Sequence, residues 1–155
     1  MGLIKESIKE VRNLSHVVSL PKLVEDGLIR SVQLLLTQLN ASVDLKFQLT
    51  NYIVEKDLSG DLKINIYRII QEQLNNITKH SKASHAEIEI NEVDKKLFIV
   101  IKDDGIGFDT TAVANGIGLS NIETRVQLFD GKMKIISSPG KGCELKVEFQ
   151  LEPNK

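Results

Sequence analysis

Apolar residues along the chain switch between two periods. Ile4, Ile8, Val11 and Val18 fall at helix-face spacing and predict a helix over residues 3–18. Ser19-Leu20-Pro21 breaks it, because proline lacks the amide hydrogen and restricts the residue before it. Leu28, Val32, Leu35 and Leu39 predict a second helix. At Val43 the period falls to two. Val43, Leu45, Phe47 and Leu49 alternate with Asp44, Lys46, Gln48 and Thr50, which predicts a half-buried strand. Ser59-Gly60-Asp61 then opens a long helix over 61–81, with Ile66, Ile70, Leu74 and Ile77 as its apolar stripe. Ala86, Ile88 and Ile90 alternate with polar neighbours. Residues 97–101 are continuously apolar, as in a strand buried on both faces. Cys143, Leu145, Val147, Phe149 and Leu151 alternate without a miss. Between these strands lie a glycine-rich stretch (105–118), a helix over 119–129 and a short strand over 132–137. Pro139-Gly140-Lys141-Gly142 is a turn. Two adjacent strand pairs favour hairpins, so the pattern predicts an α+β sandwich rather than a doubly wound parallel sheet.

Composition narrows the function classes. The 155 residues are 41% hydrophobic and 26% charged, which suits one domain with a short appendage and excludes disorder of the whole. Twenty basic and 21 acidic residues leave a net charge of −1, so there is no strong electrostatic case for nucleic acid or a membrane surface, a local basic patch aside. Aromatics are sparse and tryptophan is absent, which disfavours base stacking on the protein. The one cysteine, Cys143, excludes an intrachain disulfide and a cysteine-cluster zinc site. No apolar run approaches the ~18 residues of a membrane span, and nothing reads as a signal peptide.

Three segments carry candidate chemistry. Glu72, Asn76 and Lys79 lie within roughly 60° of arc on one helix face, beside the apolar stripe. A carboxylate, an amide oxygen and an ammonium there suit a magnesium–phosphate site, since magnesium takes hard oxygen ligands and keeps several waters. The competing reading is a solvated helix face with one ion pair. Asp103-Asp104-Gly105-Ile106-Gly107-Phe108-Asp109 follows the apolar strand directly. A carboxylate emerging from a strand can read a fixed donor such as the amino group of adenine, and the glycines let the backbone approach a flat ligand. The alternative is a plain Asp-Gly turn. Gly116-Ile117-Gly118-Leu119 runs into a helix, either as a phosphate platform or as a glycine-rich connection.

Taken together, the three segments resemble the ATP-binding catalytic domain of bacterial sensor histidine kinases, within the gyrase–chaperone–kinase–mismatch-repair ATPase family. EQLNNITKHS (72–81) resembles the N box, DDGIGFD (103–109) the G1 box and GIGLSNIETR (116–125) the G2 box. SSPGKGCELKV (137–147) resembles the hairpin that closes the domain. The resemblance implies the Bergerat-type two-layer α/β sandwich with a mixed sheet, preceded by a helical segment. It implies ATP and Mg2+ as ligands. Asn76 resembles the magnesium-ligating asparagine, and Glu72 the catalytic glutamate that polarises the nucleophile. Lys79 and His80 resemble the pair near the phosphates, Asp103 the adenine-reading aspartate, and Gly105, Gly107, Gly116 and Gly118 the glycines of the two boxes, with Leu119 beside them in the ATP site. Asp104 stands where relatives often carry asparagine. Residues 108–115 would be the ATP lid.

EVRNLSHVVSLPKLVEDGL (10–28) resembles the second helix of the dimerisation and phosphotransfer domain in the nitrate-sensor-like and PAS-linked subfamily. The expected division is residues 1–40 as the end of that helical region and 41–155 as the catalytic domain. The subfamily's acceptor histidine lies on a preceding helix in a His-Asp pair. No such pair occurs here, so His16, His80 and His85 are read as non-acceptors. The resemblance therefore implies γ-phosphoryl transfer to a histidine upstream of this fragment, then to a response-regulator receiver domain. It also implies a homodimer in the full-length form and a cytoplasmic catalytic part, with any membrane anchor in upstream segments. Two other readings are a serine kinase of the anti-sigma-factor type and a non-enzymatic nucleotide-sensing or dimerisation module. The phosphotransfer-like segment argues against the first, and the intact boxes against the second.

Overall fold

The computed structural model describes residues 20–112 and 117–152. The helix expected over 3–18, with His16, lies outside the described residues, as do Gly116 and the lid positions 113–115. The described elements are α1 (Leu20–Asp26), α2 (Leu28–Ser42), β1 (Lys46–Tyr52), a 3-10 turn (Glu55–Asp57), α3 (Gly60–Asn76), a π-helical turn (Ile77–Ser81), β2 (His85–Val93), β3 (Lys96–Asp103), α4 (Ile117–Gln127), β4 (Lys132–Ser137) and β5 (Cys143–Gln150). The strands form one mixed sheet in the order β1-β2-β3-β5-β4. Only β1 and β2 pair in parallel, joined through α3; the other pairs are antiparallel. The architecture is the expected α+β sandwich, with its two hairpins.

Period-two alternation puts one apolar row across the sheet. Leu49, Ile88, Ile101, Leu145 and Ile135 are successive cross-strand partners, and Ile90, Ile99, Val147 and Met133 form the next row. The stripes of α2 (Leu28, Val32, Leu35, Leu39) and α3 (Ile66, Ile70, Leu74), with Ile77 of the π turn, are buried in the same core. The opposite sheet face carries Lys46, Glu87, Glu89, Lys102 and Lys146, all exposed. Residues 97–101 are therefore not buried on both faces. Leu97, Ile99 and Ile101 are buried, whereas Phe98 and Val100 are half-buried on the uncovered side. Helices cover one face only, so the second apolar set packs against cross-strand side chains instead.

Other boundaries differ from expectation for local reasons. Residues 20–26 are helical, with Pro21 in the first turn, where a missing amide hydrogen is harmless. Gly27, at φ 93°, separates α1 from α2. The Glu55 carboxylate accepts from the amides of Leu28 and Ile29 and so caps α2 from a distant segment. The expected division at 40–41 falls inside α2, and Leu23 of α1 lies in the common core. The first strand begins at Lys46, not Val43, because the Val43 amide closes α2 by donating to Leu39 O at 3.0 Å. Asn40 bonds both backbone groups of Phe47, at 2.8 and 3.1 Å, and anchors the edge strand to α2. The long helix starts on the Ser59 cap, then changes to π geometry at Ile77.

Candidate functional site

The polar flank of α3 and the π turn form one wall of a cavity of about 510 Å³. Gln73, Asn76, Ile77, His80 and Ser81 line that wall, while Asp103, Ile106, Gly107 and Phe108 line another. Gly118 and Leu119 join the lining from the start of α4, and Cys143 from the start of β5. The volume is that of a small-molecule site. The π turn ends at Lys82 in the left-handed region (φ 51°), which turns the chain towards β2. At its end the Ser81 carbonyl meets the loop after β3, where it accepts from Ile106 N at 2.7 Å.

That loop is fixed from three sides. Ile106 O accepts from Gly140 N at 2.6 Å, and Phe108 N donates to Ser137 Oγ at 3.0 Å. Ser137 Oγ in turn donates to Gly142 O at 2.7 Å. Gly107 adopts φ 60° with its α-carbon against the Ser138 carbonyl, so no side chain fits there. Gly105 packs against Ser81 and Asp103 in the same way. The β4–β5 turn thus buttresses the loop.

Asp103, at the end of β3, is 4% exposed. Its Oδ1 accepts from Gly105 N at 2.9 Å, and Oδ2 accepts nothing from the described residues. Burial holds its carboxyl above the ordinary range, the Gly105 amide opposes that, and the Asp104 charge adds to the rise. Burial also pushes the Cys143 thiol, paired across the sheet with Asp103, up to about 11, and the Asp103 charge adds to this. Asp104 turns away to solvent. Its Oδ1 accepts from the amides of Ser84 and His85 at 2.8 and 2.9 Å and fixes the entry to β2.

At the other end, Gly118 meets α3. A β-carbon there would lie 2.7 Å from Asn76 Oδ1 and 2.9 Å from Glu72 Oε1. Asn65, buried in the same helix, donates to Arg125 O at 2.8 Å and holds α4 against α3. The structure therefore brings Asn76, His80, Asp103, Gly107, Gly118 and Leu119 to one cavity, with Gly105 behind Asp103 and Glu72 behind Gly118. Lys79 is exposed and outside the lining. Gly116 lies outside the described residues. Sequence reasoning did not single out Gln73, Ile77, Ser81, Ile106 or Cys143 as site residues. The signal for Gln73 is its place one turn before Asn76; the signal for Cys143 is only the strand register.

Among the described residues no group of three or more His, Cys, Asp or Glu side chains could hold a metal ion, and no helix is long and apolar enough to cross a membrane. The family model described as histidine kinase-, DNA gyrase B- and HSP90-like ATPase matches residues 61–153. The chain is 32% identical over 151 residues to the sensor histidine kinase ComP of Bacillus subtilis, covering 96% of this chain and 20% of that protein. It is 28% identical over 150 residues to the histidine-protein kinase/phosphatase DegS of Brevibacillus brevis, covering 96% and 39%. The chain thus spans well under half of these curated relatives. Its fold is similar to that of the Acinetobacter baumannii histidine kinase AdeS, with a TM-score of 0.66 at 14% identity over 98% of this chain and 80% of that one.

Proposed function

The chain belongs to the histidine kinase-, DNA gyrase B- and HSP90-like ATPase family, and from that premise we propose that it is the ATP-binding catalytic domain of a two-component sensor histidine kinase. The observation that carries the reading is one cavity lined by both the buried Asp103 carboxylate and Asn76, with Gly118 packed on Asn76. Asp103 Oδ2 accepts nothing from the described residues, so it suits the amino group of adenine. ATP supplies the phosphate oxygens that the described residues lack as a metal-binding group. Asn76 is the oxygen that would hold magnesium, whose charge would offset that of the phosphates. The cradle left by Gly118 beside Asn76 Oδ1 and Glu72 Oε1 fits that role.

The residues then divide the work. Asp103 fixes the base. Asn76 and Gly118 set the phosphate end. Glu72, beside them, accepts the proton or polarises the imidazole that attacks the γ-phosphorus. The bond from the γ-phosphorus to the bridging oxygen breaks, a nitrogen–phosphorus bond forms, and ADP leaves. The acceptor is a histidine on a separate helix, and the phosphoryl group passes on to a receiver domain. The names of the relatives at 32% and 28% identity favour this reading over a serine kinase on the same fold.

Two measurements test it. Calorimetry with a non-hydrolysable ATP analogue should show binding that strengthens with magnesium. γ-Labelled ATP, this chain and a fragment carrying a His-Asp acceptor helix of a ComP-like kinase should give acid-labile, base-stable label on the fragment. Nucleotide binding without such transfer to any acceptor fragment would leave a nucleotide-sensing module instead.

A further inference from the structure

Residues 106–108 are tied to the rest of the protein in two ways. Ile106 N donates to Ser81 O and Gly140 N donates to Ile106 O, both backbone to backbone. The other tie runs through a side chain: Ser137 Oγ accepts from Phe108 N at 3.0 Å and donates to Gly142 O at 2.7 Å. A hydroxyl has one hydrogen to give; here it goes to Gly142 while a lone pair takes the Phe108 amide. The backbone ties do not depend on side-chain identity, whereas this one needs a hydroxyl at residue 137.

Position gives the tie its reach. Phe108 lines the cavity with Asp103, Gly107 and Cys143. Ser137 is not in the lining, but it is the cross-strand partner of Cys143, which is in turn the partner of Asp103. Ser137, Cys143 and Asp103 thus stand in one row across β4, β5 and β3. Gly142, which accepts the Ser137 hydrogen, packs against the Asp103 carbonyl. The hydroxyl therefore joins the backbone beside Asp103 to the amide of Phe108. Beyond Phe108, the bonds among the described residues are local: Asp109 Oδ1 accepts from Thr111 N and Oγ1, and Ala112 N donates to Asp109 O. Phe108 N is the last point before that turn at which the loop bonds to the sheet.

We propose that Ser137 is a positioning residue of the nucleotide site, its hydroxyl fixing Phe108 relative to the backbone beside Asp103 and so setting this part of the cavity wall. This rests on the nucleotide-site reading above. Ser137 acts through Phe108 and not by touching the ligand. Its place is half-buried, so water can stand in for the hydroxyl and folding loses little. A ligand must then order the loop as it binds, and affinity carries the loss.

The test compares the intact chain with Ser137→Ala, which removes the hydroxyl, and Ser137→Thr, which keeps it. Calorimetry with ADP and with a non-hydrolysable ATP analogue reads affinity, and amide hydrogen exchange reads the tie itself. Ser137→Ala should bind both nucleotides about three- to tenfold more weakly, the loss expected for one hydrogen bond. Its Phe108 amide should exchange faster, while the Ile99 and Val147 amides of the β3–β5 pair keep the parent's rates. Ser137→Thr should match the parent in affinity and exchange. Parent affinity in Ser137→Ala with a faster Phe108 amide would overturn the proposal, because the tie would be loose without consequence for the site. Weaker binding with faster exchange throughout β3 and β5 would overturn it too, leaving Ser137 a residue of general stability. A parent chain that binds neither nucleotide would instead sink the site reading, and this inference with it.

Discussion

Gly118 and Asn76 are in such close apposition that a β-carbon on the glycine would sit 2.7 Å from the asparagine Oδ1. The atoms in the way are the ends of two side chains, Asn76 and Glu72, and not backbone. Gly118→Ala should therefore fold, displacing both side chains rather than α4. Melting temperature should change little. Affinity for an ATP analogue with magnesium should fall about tenfold or more, equivalent to roughly 1.4 kcal/mol. Unchanged affinity would separate Asn76 from the ligand.

The same pair shows what the sequence made legible. Asn76 was readable because Glu72, Asn76 and Lys79 share a face beside an apolar stripe, and Asp103 because a carboxylate followed by spaced glycines ends an apolar strand. Lys79 was grouped with them by helical arithmetic, but α geometry stops at Asn76 and the π turn carries Lys79 to an exposed position. Hydrogen-bond period within a helix leaves no hydrophobic signature, so that turn was invisible. Cys143 reached the cavity through its pairing with Asp103, a register that alternation alone does not specify. The apolar residues 97–101 misled because a helix layer covers only one side of the sheet.

Glu55 offers a substitution remote from the cavity. Its carboxylate accepts from the Leu28 and Ile29 amides at the start of α2 and lies 3.9 Å from Lys63 Nζ. Glu55→Ala leaves two helix-end donors without a partner and should cost about 0.5–2 kcal/mol, the range for losing a helix cap. Denaturant titration should show a lower midpoint with unchanged slope. Nucleotide affinity measured well below that midpoint should stay at the parent value, and a matching loss of affinity would tie the α2 anchor to the site.

Asp104 is the acid-sensitive joint of the fold. The His85 and Ser84 amides, in that order, hold its carboxyl below the ordinary value of 3.8, and the His85 side chain adds to this. A depressed folded pKa contributes stability that is fully present above the unfolded value and is lost as pH falls through the folded one. Asp104→Ala should thus be destabilised by about 0.5–1.5 kcal/mol at pH 7 through its lost hydrogen bonds, and the gap to the parent should close below about pH 4. Melting curves between pH 3 and 7 would show this. A gap that persists undiminished in acid would mean that the ionised carboxylate is not what stabilises the β2 entry.

Asp103 carries the opposite sign, and there stability and binding should separate. Its carboxyl is raised chiefly by burial, against the Gly105 amide and with help from the Asp104 charge. A raised folded pKa favours the native state most below the unfolded value, and that advantage is lost as pH rises through the folded pKa. At neutral pH the chain therefore holds an ionised group in a place that resists ionisation. Asp103→Asn removes the charge and keeps an oxygen for the Gly105 amide, so the apo protein should melt higher than the parent at pH 7. The two should converge as pH falls towards 3.8, where the parent's carboxyl is protonated as well. Binding should move the other way. The amide in place of the carboxylate loses a charge-assisted bond to the adenine amino group, worth about 1.5–3 kcal/mol, or roughly 10- to 150-fold in affinity. A non-hydrolysable ATP analogue titrated into both proteins at pH 7 reads the second effect, and melting curves at pH 4 and 7 read the first. A variant that melts lower at pH 7 would mean that the carboxylate stabilises this end of the sheet. A more stable variant with unchanged affinity would remove Asp103 from base recognition.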